Sequence, residues 1–199
     1  MTLLVVFQVI GTVAFAISGA CVAIEHKMDL LGVCTLGMTT AVGGGIIRDL
    51  ILDVTPPLAF TTPEYALLSI LVSVIIFLPG IRRYFRDLNH PLYLLIDSLG
   101  LAVFTVVGAR AGMMYGKLFL AIFVGVLTGV GGGVMRDLFA NKQPDIFRKR
   151  FYATASIIGA AVAAALYSRE NLSYIAGAGV IVVLRFLAAR FCWSLPRAE

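Results

Sequence analysis

The run GGGIIRDL (residues 43–50) and its near copy GGGVMRDL (residues 131–138) decide how this chain folds. Each lies inside a stretch apolar enough to cross a membrane, and each puts three glycines and an Arg-Asp pair where both are costly. The copies stand 88 residues apart, and the prolines that follow, Pro56 and Pro144, keep that spacing. Upstream, VAFAISGACVA (13–23) aligns loosely with LAVFTVVGARA (101–111), one residue out of register. The two runs are therefore landmarks of an internal repeat.

Composition sets the solvent. Of 199 residues, 60% are apolar and 14% charged, with a mean hydropathy of +0.96. A soluble domain of this size could not hide so much apolar surface, so the surroundings are lipid. Lys and Arg outnumber Asp and Glu, 16 to 11. They come in short clusters between apolar runs, which suits loops at an anionic membrane face and not a nucleic-acid footprint. Cys21, Cys34 and Cys192 lie in or beside apolar segments without a C-x-x-C pattern and read as small hydrophobes. His26 and His90 stand alone in loops, as solvated side chains rather than metal ligands. The start, MTLLVVFQVI, has no basic n-region, and SGAC (18–21) has serine where a lipoprotein cleavage site has a large aliphatic residue. A retained first helix is expected.

A spanning helix needs about 20 apolar residues. With charge and turn clusters as punctuation, the chain divides into seven spans, near 2–24, 30–53, 63–80, 90–112, 117–140, 150–168 and 172–191. All seven tyrosines and Trp193 fall near proposed helix ends, as interfacial aromatic belts require. The side holding loops 25–29, 81–91 and 141–150 and the C-terminus carries 12 of the 16 basic residues. The positive-inside rule then predicts a cytoplasmic C-terminus and an outside N-terminus.

The first three spans (repeat 1, about 1–80) recur as the next three (repeat 2, about 88–168), and a seventh helix (about 172–191) is extra. Three is odd, so the second copy enters from the opposite face. The expected fold class is an all-α membrane protein: seven transmembrane helices, an inverted repeat of two three-helix bundles plus a seventh helix, in one transmembrane domain.

Three glycines cost roughly 1 kcal/mol each in a helix. At Gly43, Gly44, Gly45 and again at Gly131, Gly132, Gly133, the second and fifth spans should kink, unwind, or admit another backbone. Freed carbonyls at that depth belong beside a cavity, which favours a transport path; the alternative is plain tight packing, the role given to Gly108, Gly112, Gly159 and Ala163. The pseudo-symmetry suggests that Arg48 pairs with Asp137 and Arg136 with Asp49 across the repeat axis. The alternative is that both arginines snorkel to opposite faces. Asp97, in LYLLIDSLGL, has no basic neighbour within four positions and no acidic counterpart near Gln8. It should face water, a cation or an arginine from another helix, or be protonated. Arg110 and Lys117 read as interfacial anchors.

No enzyme signature is present: no Gly-Lys-Ser/Thr follows the glycines, and no nucleophile–base pair or H-E-x-x-H occurs. No cofactor is expected. The doubled GGGxxRDL in a chain of two inverted triplets resembles the prokaryotic branch of the trimeric intracellular cation channel family, whose bacterial members include a group described as glycine transporters. The resemblance spans almost the whole chain. It implies a homotrimer in the bacterial inner membrane with a separate pore in each protomer. Spans two and five would bend at the glycines to line it, and potassium and, less selectively, sodium would permeate. Membrane lipids and monovalent cations are the implied partners, and nucleic acid is not. The animal branch's Lys-Glu-Val signature is missing, so lipid regulation is not carried over. Arg48, Asp49, Arg136, Asp137 and Asp97 are the charge and gating candidates. The arginines either guard a cation path or hold a substrate carboxylate, so a channel and a secondary transporter for glycine or a similar small amino acid both stay open, beside a purely structural role.

Overall fold

The computed structural model describes residues 3–82, 91–148, 151–191 and 193. Expectations for His90, Cys192 and basic residues 83, 86, 149, 150 and 197 lie outside them. Five helices are long and apolar enough to cross a membrane: α1 (Leu3–Glu25), α2 (Leu30–Ile51), α6 (Pro91–Met113), α7 (Leu118–Phe139) and α10 (Glu170–Arg190). Two shorter apolar helices, α4 (Glu64–Phe77) and α9 (Tyr152–Ala165), fall where the third and sixth spans were expected. Three one-turn helices complete the described set: α3 (Leu58–Thr61), α5 (Pro79–Arg82) and α8 (Asp145–Arg148).

The short helices have local causes. Fourteen residues rise about 21 Å, against a hydrocarbon core of about 30 Å. In α4 the stop is Pro79, which pushes Leu78 out of the helical region to φ −57, ψ 134. Asp29 begins α2, its carboxylate accepting from Gly32 N at 2.8 Å. Beyond α2 and α7 the chain turns through left-handed residues, Asp53 (φ 56) and Asn141 (φ 52), types that tolerate that region. There Val54 N and Lys142 N donate back to the carbonyls of Asp49 and Asp137, both at 2.8 Å. The two copies thus end their helices alike.

α6 forms the centre, buried nearly all round, with Leu101, Ala102, Val106 and Ala109 fully enclosed. It packs along α7, α1, α10 and α9, while α1 lies beside α2 and α2 crosses α7. Large apolar side chains such as Phe119, Leu31 and Ile175 are mostly exposed, as lipid contact requires.

The triple glycines do not unwind their helices. α2 and α7 run as unbroken α-helix through residues 43–45 and 131–133. The open alternative, close approach of another backbone, is what occurs. A Cβ on Gly44 would overlap the Thr128 carbonyl oxygen, and one on Gly132 would overlap that of Thr40. The contacts exchange under the 88-residue offset, as an isologous pair does. Thr40 and Thr128 turn their hydroxyls back onto the carbonyls of Leu36 (2.6 Å) and Val124 (2.7 Å), leaving the facing surface to backbone. Gly108 against Thr128 and Gly112 against Ala121 also make the close packing expected of them.

Tyrosine placement differs from expectation as well. Tyr93, Tyr152 and Tyr174 sit near helix starts but are buried, so they belong to the interior and not to a lipid-facing belt. Cys21 and Cys34 are free thiols within helices, the first buried and the second half-buried.

Candidate functional site

Each Arg-Asp pair closes on itself. Arg48 Nε donates to Asp49 Oδ1 at 2.8 Å, and Arg136 Nε donates to Asp137 Oδ1 at 2.9 Å. The second oxygen of each aspartate takes the first N–H of the following one-turn helix: Leu58 N to Asp49 Oδ2 at 2.9 Å, Asp145 N to Asp137 Oδ2 at 2.8 Å. Those N–H groups are orphan donors at a helix start, and the aspartates satisfy them. The expected cross-pairs, Arg48 with Asp137 and Arg136 with Asp49, are therefore not formed. An arginine is long enough to fold back along its helix, over the third glycine of its run. A Cβ on Gly45 would stand 3.9 Å from Arg48 Nη2, and one on Gly133 would stand 3.7 Å from Arg136 Nη2. Nor do the arginines snorkel outward: Arg48 is 7% exposed and Arg136 is fully buried.

Beyond this shared device the two halves diverge. Arg136 Nη1 pairs with Asp97 Oδ1 at 2.8 Å and also donates to Ser18 Oγ, while Nη2 lies 3.4 Å from Asp145 Oδ2. Asp97 answers its open question by meeting arginines from two other helices. Besides Arg136 it meets Arg185 of α10, with Nη2 at 3.5 Å from Oδ2. Arg185 Nε reaches Ser98 Oγ at 3.3 Å, and its guanidinium lies over the Tyr152 ring, 4.6 Å from the centroid. Lys142 sits 3.6 Å from Asp145 Oδ1 at the edge. Among the described residues Arg136, Arg185 and Lys142 stand against Asp97, Asp137 and Asp145, equal in number. Carrying charge into the bilayer is tolerable only with such pairing. Tyr152 Oη is the one buried side-chain polar atom without a hydrogen-bond partner among the described residues.

Around Arg48 the protein is open. Its Nε and Nη2 both engage Asp49 Oδ1, the latter at 2.7 Å, and among the described residues Nη1 has no partner. The guanidinium faces a cavity of about 60 Å³ lined by Gln8, Thr12, Gly45, Thr62, Tyr65 and Phe104, among others. Gln8 Oε1 accepts from Tyr65 Oη at 2.8 Å. Arg110 lies between the rings of Tyr167 (4.9 Å) and Tyr174 (4.7 Å).

Asp145, Arg185, Ser18 and Tyr152 were not among the candidates. Arg185 carried the same signal as Asp97, a lone charge in an apolar run, VIVVLRFLAA. Asp145 follows Pro144 in a loop, and only the turn after Asn141 brings it back under Arg136.

The family model described as glycine transporter matches this chain twice, at residues 5–79 and 94–168. A UPF0126 membrane protein of Deinococcus radiodurans is 38% identical over 196 residues, covering 95% of this chain and 89% of that one. The UPF0126 inner membrane protein YadS of Escherichia coli K12 is 37% identical over 199 residues, covering 95% and 93%. Among solved structures, a TRIC cation channel whose structure addresses conductance matches with a TM-score of 0.89 at 39% identity, over 100% of this chain and 98% of that one. The TRIC trimeric intracellular cation channel orthologue of Rhodobacter sphaeroides matches with a TM-score of 0.85 at 34% identity, over 96% and 100%. Matched over most of its length in sequence and in structure, the chain belongs to the prokaryotic branch of the trimeric intracellular cation channel family, the same family that the glycine-transporter model describes.

Proposed function

We propose that this membrane protein is a potassium-permeable monovalent-cation channel, a homotrimer with one path per protomer, lined by α2 and α7 at residues 43–45 and 131–133. In this reading α1, α2, α4, α6, α7, α9 and α10 are seven spans. The halves 1–80 and 88–168 are inverted repeats, α10 is the extra helix, and the protein sits in the bacterial inner membrane with its N-terminus outside. The double family match and the exchanged glycine contacts support the repeat.

The observation that carries the function is the charge state of the α2–α7 region. Unpaired, Arg48 and Arg136 would repel a permeating cation; here Asp49 and Asp137 neutralise them within their own turns. Cation conduction in the structural relatives points the same way. With the helices unbroken, freed carbonyls cannot serve as ion ligands in this conformation, so side chains and water would solvate the ion. Unitary potassium currents from purified protein in planar bilayers, with no amino acid present, test the proposal.

A secondary transporter for glycine or another small amino acid is the second reading. The cavity beside Arg48 favours it, because a guanidinium edge suits a carboxylate. Saturable, proton- or sodium-coupled glycine uptake without unitary steps would establish it.

A further inference from the structure

The two Arg-Asp turns match, yet only one of them borders open space. Arg136 is fully buried with every nitrogen engaged: Nε by Asp137, Nη1 by Asp97 and Ser18, Nη2 by Asp145. Arg48 gives Nε and Nη2 to a single oxygen of Asp49, and among the described residues its Nη1 has no partner. Arg48 also lines the cavity that Gly45, the last of the first glycine run, lines with it. The open space beside the α2–α7 region is therefore on the Arg48 side.

Two exchanges between the halves account for the difference. Gln8 stands where the second half has Asp97: the family model's two matches start 89 residues apart, at 5 and 94. Leu58 stands where the second half has Asp145. Each begins its one-turn helix, and each gives its backbone N–H to the second oxygen of the preceding aspartate. In the second half these two carboxylates reach Arg136 at 2.8 Å and 3.4 Å; in the first an amide and an alkyl group replace them. The remaining strong acceptors at the cavity are used within the protein. Asp49 Oδ1 takes Arg48, Oδ2 takes Leu58 N, and Gln8 Oε1 takes Tyr65 Oη. Asp49 balances the charge of Arg48, but the cavity still meets an unused donor edge, which raises the local potential against cations.

We propose that cations cross this protein on the Arg48 side, through the cavity, and that the unused guanidinium edge is the electrostatic barrier that limits conductance. Leu58 and Gln8 are the positions that set its height. The inference rests on the channel reading and adds to it a location and a charge determinant. In the seven-span arrangement Arg48 lies towards the outer face and Arg136 towards the cytoplasm. The barrier is then lopsided, and potassium enters less readily from the outer face.

Leu58 lines the cavity and is 43% exposed, so a thiol placed there is within reach of a water-soluble reagent. Single Leu58→Cys channels are recorded in planar bilayers in potassium chloride of about 0.1 M, where screening leaves charges felt over roughly 10 Å. Methanethiosulfonates bearing a trimethylammonium or a sulfonate group are then added to one face at a time. Wild-type protein, which carries Cys21, Cys34 and Cys192, is the reference. Relative to it, the cationic reagent should lower the unitary potassium current about twofold or more, and the anionic one should raise it by a similar factor. Both should act from the face through which potassium enters less readily. Effects of the same sign from the two reagents, or none beyond wild type, overturn the inference and leave the channel reading intact. A bilayer silent with wild-type protein defeats the channel reading and this inference with it. If Leu58→Cys does not assemble, Thr62→Cys, also lining the cavity, decides on the same criterion.

Discussion

Gly44 and Gly45 are neighbours with opposite tolerances. Gly44 lies against the Thr128 carbonyl, so a methyl there must push two backbones apart, whereas Gly45 faces only the end of Arg48. Gly44→Ala should lower stability by about 1–3 kcal/mol, as overpacking does. Gly45→Ala should leave it unchanged or raised, since alanine is favoured in a helix by about 1 kcal/mol. Chemical unfolding in detergent compares them, and equal losses would mean that the glycines act by bending and not by contact. Asp97 is the other sensitive residue, because two buried arginines depend on it. Asp97→Asn should cost about 3–5 kcal/mol in the same assay, the usual penalty for stranding a buried charge. That Asp97 needed a partner was legible from its isolation in an apolar run, with water, a cation, a distant arginine or its own protonation all open. Which arginine was not, because pairing across α6, α7 and α10 is set by packing that no local spacing encodes.

At the scale of elements, apolar run length located every long helix, because the bilayer makes run length the dominant signal. It overran at the third span, where Pro79 stops α4 early. The glycine runs were legible as places where something unusual happens to the backbone. Helix propensity alone left a kink, unwinding or the approach of another backbone open; the structure keeps both helices and uses the missing side chains for contact, a gain that only the partner helix reveals. The ion pairs follow the same pattern: symmetry suggested an exchange across the axis, and the reach of arginine made the local pair instead. An exchange variant separates the two. Arg48→Asp combined with Asp137→Arg should restore none of the thermal stability that either single change removes. Recovery in the double variant would reinstate the cross-pair.

For the whole molecule, the ends of α2 and α7 share the Arg-Asp turn but not their polar surroundings. One half closes its arginine in a cluster with three acids; the other leaves an arginine beside a cavity. Such asymmetry is hard to see in the repeat itself, because it rests on single exchanges such as Gln8 for Asp97. Assembly is tested by native mass in detergent, where three copies of the 21.3 kDa chain are expected and a monomer would contradict the trimer. The neutralised α2–α7 region should pass cations, and planar-bilayer recording of the purified protein in potassium chloride, first symmetrical and then under a gradient, tests this most directly. Discrete unitary currents are expected, reversing at the potassium equilibrium potential under the gradient, with no amino acid present. A silent bilayer, from protein that takes up glycine in saturable, ion-coupled fashion when placed in vesicles, would contradict it.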